Sequence, residues 1–84
     1  MPRRLHNWNY RQVTDFLREN DFRFVKELGG SHQAWSKRGE HGEVDVVVEV
    51  NFTHTAYPPK ALKRFIRQSR IDADEWIRWG GSHC

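Results

Sequence analysis

The alternation of apolar and polar residues is clearest in the middle of the chain. From Val44 to Phe52 every second residue is apolar, and the residues between them are polar except Val47. Successive side chains of a strand point to opposite faces, so this pattern predicts a strand with one buried face. Two shorter segments, Phe22 to Leu28 and Gln33 to Arg38, precede it and are also predicted to be strands.

Helical periodicity lies on both sides of these strands. Between Asn9 and Glu19 the apolar residues recur at helical spacing, and Asn9 with Gln12 has the pattern of a capping box. A second helix is predicted from Pro59 to Arg70, because proline suits a first helical turn and the apolar and basic residues occupy opposite sides. A short third helix is predicted from Asp72 to Trp79, with Asp72 as its cap.

This order of elements predicts an α+β fold. Three antiparallel strands in a meander leave one sheet face for the helices to cover, which gives a two-layer sandwich with a short extra C-terminal helix. Residues 1–79 are expected to form one domain. Residues 80–84 are expected to be a flexible tail.

Composition narrows the class of partner. The 84 residues include 14 Lys and Arg against 11 Asp and Glu, a formal charge of +3 that favours anionic partners such as nucleic acid. The lone Cys84 allows no internal disulfide and fits a reducing cytoplasm. No apolar run approaches the ~20 residues that span a bilayer, so no membrane association is expected. His83 and Cys84 lack metal-ligand spacing, and no metal or cofactor is predicted.

The segment richest in chemistry lies between the first two predicted strands and reads Gly29-Gly30-Ser31-His32. Two glycines allow a tight turn that leaves room for a large ligand. Histidine is the side chain whose ordinary pKa lies nearest neutral pH, so His32 in a basic domain favours acid–base chemistry on a phosphodiester. The alternative is a surface histidine kept for hydrogen bonding. Ser31 either orients a phosphate or caps the turn.

Basic residues supply candidate phosphate contacts. Lys37 and Arg38 follow His32 closely in sequence and are the first choice. The basic side of the second predicted helix either follows an RNA backbone or is an ordinary solvated face. Its residues are Lys60, Lys63, Arg64, Arg67 and Arg70.

Two further residues are weighed by strand parity. Trp35 falls on the strand face opposite His32, so packing in the core or against a partner is favoured over stacking on a base. His54 is the candidate second acid or base. Parity places it on the valine face, so a buried or loop histidine is the alternative.

Four segments carry a resemblance to a known family: residues 13–17, 22–25, 30–35 and 60–68. In this order they resemble the HicA-type toxins of bacterial toxin–antitoxin pairs. The chain departs from the family's pattern at the extra Gly29, at Val50 to His54, which lacks a common proline, and at Ala61, where threonine is common. The resemblance implies a fold like that of double-stranded RNA-binding domains, a HicB-type antitoxin as partner, and His32 as the catalytic residue of an mRNA-cleaving enzyme.

The predicted function is therefore a metal-independent endoribonuclease. RNA supplies its own nucleophile, the 2′-hydroxyl, so the enzyme needs a base, an acid and positive charge near the phosphorus. The residues predicted to bind RNA are Gly30, Ser31, Lys37, Arg38, Lys60, Lys63, Arg64 and Arg67. Two alternatives stand beside it: an RNA-binding module of the same fold that does no chemistry, and a protein whose aromatic residues form a partner interface.

Overall fold

Helices flank a small antiparallel sheet. The computed structural model describes residues 8–39 and 45–83. Within these ranges the elements are α1 (Tyr10–Glu19), β1 (Arg23–Gly29), β2 (His32–Lys37), β3 (Val46–Asn51), α2 (Pro59–Ser69) and α3 (Ala73–His83). The predicted α+β order is confirmed. The turn predicted around residues 39–43 and the predicted strand start at Val44 fall mainly outside the described residues.

The sheet is a meander with the strand order β1-β2-β3. Gly29 pairs with His32 across the first turn, and His32 pairs with Asn51 of β3. Both glycines of the turn have positive φ, +112° at Gly29 and +56° at Gly30. Backbone of this kind suits glycine because it has no Cβ, and it confirms the tight turn that the sequence predicts.

The alternation along β3 separates a core face from an outer face. Val46, Val48 and Val50 are buried, whereas Val47 and Glu49 are exposed, as the sequence predicts. Trp35 pairs with Val48 and is only 2% exposed, so it packs in the core. Trp35 therefore belongs to the face that the sequence assigns to packing rather than to base stacking.

Aromatic contacts connect α1 with α3. Trp8 stacks on Trp79 with ring centroids 5.6 Å apart, and Phe16 lies 4.2 Å from Trp76. The N-terminus of α1 has the predicted capping box, in which the side chain of Asn9 and that of its partner three residues later each accept a backbone N–H. The aromatic rings belong to the apolar layer that covers the core face of the sheet.

The third strand is covered along its outer edge by α2. The backbone N–H of Glu49 points away from β2 and donates to the side-chain oxygen of Gln68 at 2.9 Å. Phe65 of the same helix is fully buried beside Tyr57. The opposite edge of the sheet, β1, is exposed at all seven residues. The sheet therefore has one covered edge and one open edge.

The last helix is longer than its sequence predicts. It extends to His83, where the glycine-rich sequence predicts a flexible tail from residue 80. Trp76 and Trp79 pack against Phe16 of the first helix, and Gly80 is buried. Tertiary packing of this kind outweighs the low intrinsic helix propensity of glycine.

We predict that the stability of the fold depends on the covered edge far more than on the open one. Phe65→Ala removes a fully buried ring and should cost about 3–5 kcal/mol of unfolding free energy. Phe24→Ala removes a ring of the same size that is 48% exposed on β1, and should cost less than half as much. Urea denaturation of both variants measures the difference, and equal losses would contradict the described packing.

Candidate functional site

His32 occupies the first position of β2, directly after the glycine turn. Its side chain is 45% exposed, and its Nδ1 lies 3.2 Å from the Oε1 of Glu49. The Nδ1 atom is shielded from solvent and forms no regular hydrogen bond. The contact is therefore a close pairing that becomes an ion pair when the imidazole is protonated. The geometry leaves the rest of the ring accessible.

Glu49 is the acidic residue that sequence reasoning missed. It pairs with Ala34, which is two residues along β2 from His32, so Glu49 lies on the same face of the sheet as the histidine. The hydrogen bond from its backbone N–H to Gln68 holds this stretch of β3 against α2. The carboxylate is thereby held where it can act as the charge partner of the His32 imidazole.

Asn51 links the histidine to the charged side chain of Arg64. It is the direct cross-strand partner of His32, and its Oδ1 accepts a hydrogen bond from the guanidinium of Arg64 at 3.3 Å. Its backbone oxygen accepts a hydrogen bond from the hydroxyl of Tyr57. Burial raises the pKa of Tyr57 above its ordinary range, which keeps that hydroxyl a neutral donor. Of the predicted RNA-binding residues, Arg64 is thereby joined to the site.

One polar cluster is formed by four residues: His32, Glu49, Asn51 and Arg64. We call the sheet face opposite to the core the open face, and it carries His32, Glu49 and Asn51. Arg64 reaches this cluster from α2. Together they supply an accessible imidazole, a carboxylate that positions it and a fixed positive charge. Proton transfer beside a negatively charged group is the chemistry that this set can perform.

Gly30 and Ser31 lie where the sequence places them, in the turn next to the histidine. The backbone oxygen of Ser31 accepts a hydrogen bond of 2.8 Å from the N–H of Phe52. This bond ties the glycine turn to the segment that follows β3. The turn is therefore held on two sides, by the β1–β2 pairing and by this contact.

His54 lies in that same segment. It is exposed, in a bend of the chain, with its ring 4.8 Å from the ring of Phe52. Placing it on the valine face by parity is wrong, because β3 ends at Asn51 and the alternation stops there. The alternative of a loop histidine is correct. Its location at the turn end of the sheet keeps it a candidate for a second proton-transfer group.

Lys37 and Arg38 do not lie near the histidine. Lys37 is five residues along an extended strand from His32, a separation of about 16 Å. It pairs with Val46 on the core side, and its ammonium lies 5.3 Å from the centre of the Phe22 ring. Closeness in sequence is misleading here, because in an extended strand residues a few positions apart are already far apart in space.

The remaining predicted cations lie on α2. Lys60, Lys63 and Arg67 are exposed, in contrast to Arg64, which is half-buried. The predicted separation of apolar and basic sides is confirmed except at Arg64, whose guanidinium lies 5.3 Å from the centre of the Phe65 ring. The exposed three follow the outside of the helix that covers β3.

The described residues contain neither a metal-ligand cluster nor a membrane-spanning element. No group of three or more His, Cys, Asp or Glu side chains among residues 8–39 and 45–83 is placed to hold a metal ion. Within the same ranges no helix has both the length and the apolar character needed to cross a bilayer. Comparison with protein-family models, curated proteins and solved structures finds no match to this chain.

We predict that the two glycines of the turn differ in what they tolerate. A Cβ at either position would meet no atom within 4 Å, so backbone conformation alone decides. Gly30 has a φ that asparagine accepts, so Gly30→Asn should change stability little. Gly29, at +112°, lies outside the region open to other residues, and Gly29→Asn should cost at least about 1–2 kcal/mol. Urea denaturation of the two variants tests this, and the reverse order of stability would refute the turn geometry.

Proposed function

We propose that this protein is a metal-independent endoribonuclease that cleaves mRNA, the toxin of a type II toxin–antitoxin pair similar to HicA. The observation that carries the proposal is the accessible imidazole of His32 beside the carboxylate of Glu49. The meander with its flanking helices is compatible with a sandwich like that of double-stranded RNA-binding domains. In this proposal the protein acts in the cytoplasm and is silenced by a HicB-like antitoxin.

The proposed reaction uses the nucleophile already present in RNA. His32 accepts the proton of a 2′-hydroxyl while that oxygen bonds to the adjacent phosphorus and the bond from phosphorus to the 5′-oxygen breaks. The departing 5′-oxygen takes up a proton, for which His54 is the candidate donor. The products are a 2′,3′-cyclic phosphate and a 5′-hydroxyl. No atom or electron is needed from a cofactor.

Charge stabilisation is the second requirement of this reaction. Negative charge grows on the phosphate oxygens as the 2′-oxygen attacks, and a fixed cation nearby lowers the barrier. The Arg64 guanidinium, tethered through Asn51 next to the histidine, is placed to supply that charge. Lys60, Lys63 and Arg67 on the exposed side of α2 would hold neighbouring phosphates.

The position of Glu49 supports the proposal of an enzyme over that of a module that only binds RNA. A surface that merely holds phosphates gains nothing from a carboxylate at its centre, because Glu49 repels the ligand. The same carboxylate is useful when it positions an imidazole and stabilises it in its protonated form. An interface with a partner protein is compatible with this proposal, and exposed Phe24, Val25 and Leu28 on the open edge provide apolar surface for one.

The test is cleavage of a fluorogenic single-stranded RNA by the purified protein with EDTA in the buffer. We expect His32→Ala to lower the rate by about 10²-fold or more, the size of a typical acid–base contribution. Glu49→Gln keeps the size of the side chain but removes its charge, and should lower the rate without lowering the stability of the fold. Glu75→Gln is the matched control, because that carboxylate pairs with Arg78 on α3 and should be dispensable for cleavage.

Cleavage by His32→Ala at the wild-type rate would overturn the proposed role of this residue. Equal activity of Glu49→Gln and Glu75→Gln would show that the carboxylate beside the imidazole has no part in the reaction. Absence of cleavage by the wild type, together with retained RNA affinity, would favour the binding-module alternative.

A further inference from the structure

Among the described residues, the arginines of α1 and α3 form ion pairs, whereas the cations of β1 do not. On α1, Arg11 and Arg18 both contact Asp15, and on α3 Arg78 contacts Glu75. Within the described ranges, the two cations of β1, Arg23 and Lys26, have no ion-pair partner. These two cations, like the exposed cations of α2, are therefore available to a ligand from outside.

Strand register places these two cations in line with the histidine. Lys26 pairs with Ala34 and Arg23 pairs with Ser36, which are two and four residues along β2 from His32. Residues at this spacing share one face, so both cations stand on the open face. Counted along β2, their positions are about 7 Å and 13 Å from His32.

The acidic residue of β1 is turned away from this line. Glu27 pairs with Gln33 on the core side of the sheet, and its carboxylate accepts a hydrogen bond of 3.3 Å from the Gln33 amide. Glu49 shares the open face, one strand beyond Ala34 from Lys26, and its carboxylate lies 3.2 Å from the Nδ1 of His32. A row of cations thus continues from the histidine along β1, and neither Lys26 nor Arg23 forms an ion pair with a carboxylate among the described residues.

We infer that the open face is a binding track for single-stranded RNA in which Lys26, and beyond it Arg23, contact successive phosphates on one side of the cleaved bond. The inference rests on the proposed function in taking RNA as the ligand. It adds two residues that the sequence analysis does not single out. It also assigns the path of the bound RNA strand, which runs along β1.

A single strand fits this track better than a duplex. The track is one row of cations along one edge strand, which matches one row of phosphates, whereas a duplex presents two rows around a wide helix. In-line attack of a 2′-oxygen also requires the nucleotide to leave regular helical geometry, which a single strand permits. RNA-specific readers of single strands commonly combine such a positively charged path with free bases.

The experiment measures RNA affinity in the His32→Ala background, so that binding is read without turnover. A fluorescent single-stranded oligonucleotide is titrated by anisotropy at several salt concentrations. Each lost phosphate contact should reduce the slope of log affinity against log salt by about 0.7. We expect this reduction for Lys26→Gln and for Arg23→Gln. Arg11→Gln, at an exposed arginine of α1, is the matched control and should leave the slope unchanged.

The outcomes separate this inference from the proposed enzyme. Unchanged slopes for Lys26→Gln and Arg23→Gln would overturn the track even if the wild type cleaves RNA through His32. Reduced slopes in a protein that cleaves nothing would support the track and overturn the enzyme. Equal affinity for a duplex of the same sequence would overturn the assignment to single strands. Absence of any RNA binding would overturn both proposals.

Discussion

The pairing register between β2 and β3 is the constraint on which the rest of the molecule depends. Because strand side chains alternate, one register decides both what is buried and what reaches solvent. Pairing His32 with Asn51 buries Trp35 against the valines of β3 and at the same time sets Glu49 beside the imidazole. A slip by one residue would expose the core face and separate the histidine from its carboxylate. Folding energy and site geometry are therefore fixed by the same backbone contacts.

Three features hold that register. The core pins it from one side, since the buried valines of β3 fit between Trp35 and the helices only when they face inward. The glycine turn pins it from the other, since its backbone accepts the N–H of Phe52 just beyond the end of β3. The helix α2 adds a third contact at the outer edge through Gln68. The site thus stands on rigid strands rather than on a loop, which favours a defined proton-transfer geometry.

Most of the fold can be predicted from the sequence, because helices and strands depend on patterns among neighbouring residues. The alternation of β3, the capping box at Asn9 and the proline that starts α2 each depend on a few adjacent positions, and each is confirmed. The site is harder to predict because it depends on register between strands. The segment joining β2 to β3 has no signal that fixes how the strands align, so the partnership of His32 with Glu49 is not visible in the sequence.

The same reasoning explains the misplaced expectations. Lys37 is near His32 in number, but an extended chain separates the two and turns the lysine to the core side. Residues 80–83 are helical because the tryptophans of α3 pack against α1, and the local glycine-rich sequence does not predict this packing. By contrast, Arg23 and Lys26 are no closer to His32 in sequence than Lys37 is, yet the hairpin between β1 and β2 returns them to its face.

The chemical identity of the cleaved ends is the measurement that tests the central claim most directly. We expect mass spectrometry of RNA cleaved in the presence of EDTA to show a 2′,3′-cyclic phosphate and a 5′-hydroxyl, and a substrate with one 2′-deoxynucleotide at the cleavage position to remain intact there. Cleavage at that deoxynucleotide, or products that carry a 5′-phosphate, would contradict proton abstraction by His32 from the 2′-hydroxyl of the substrate.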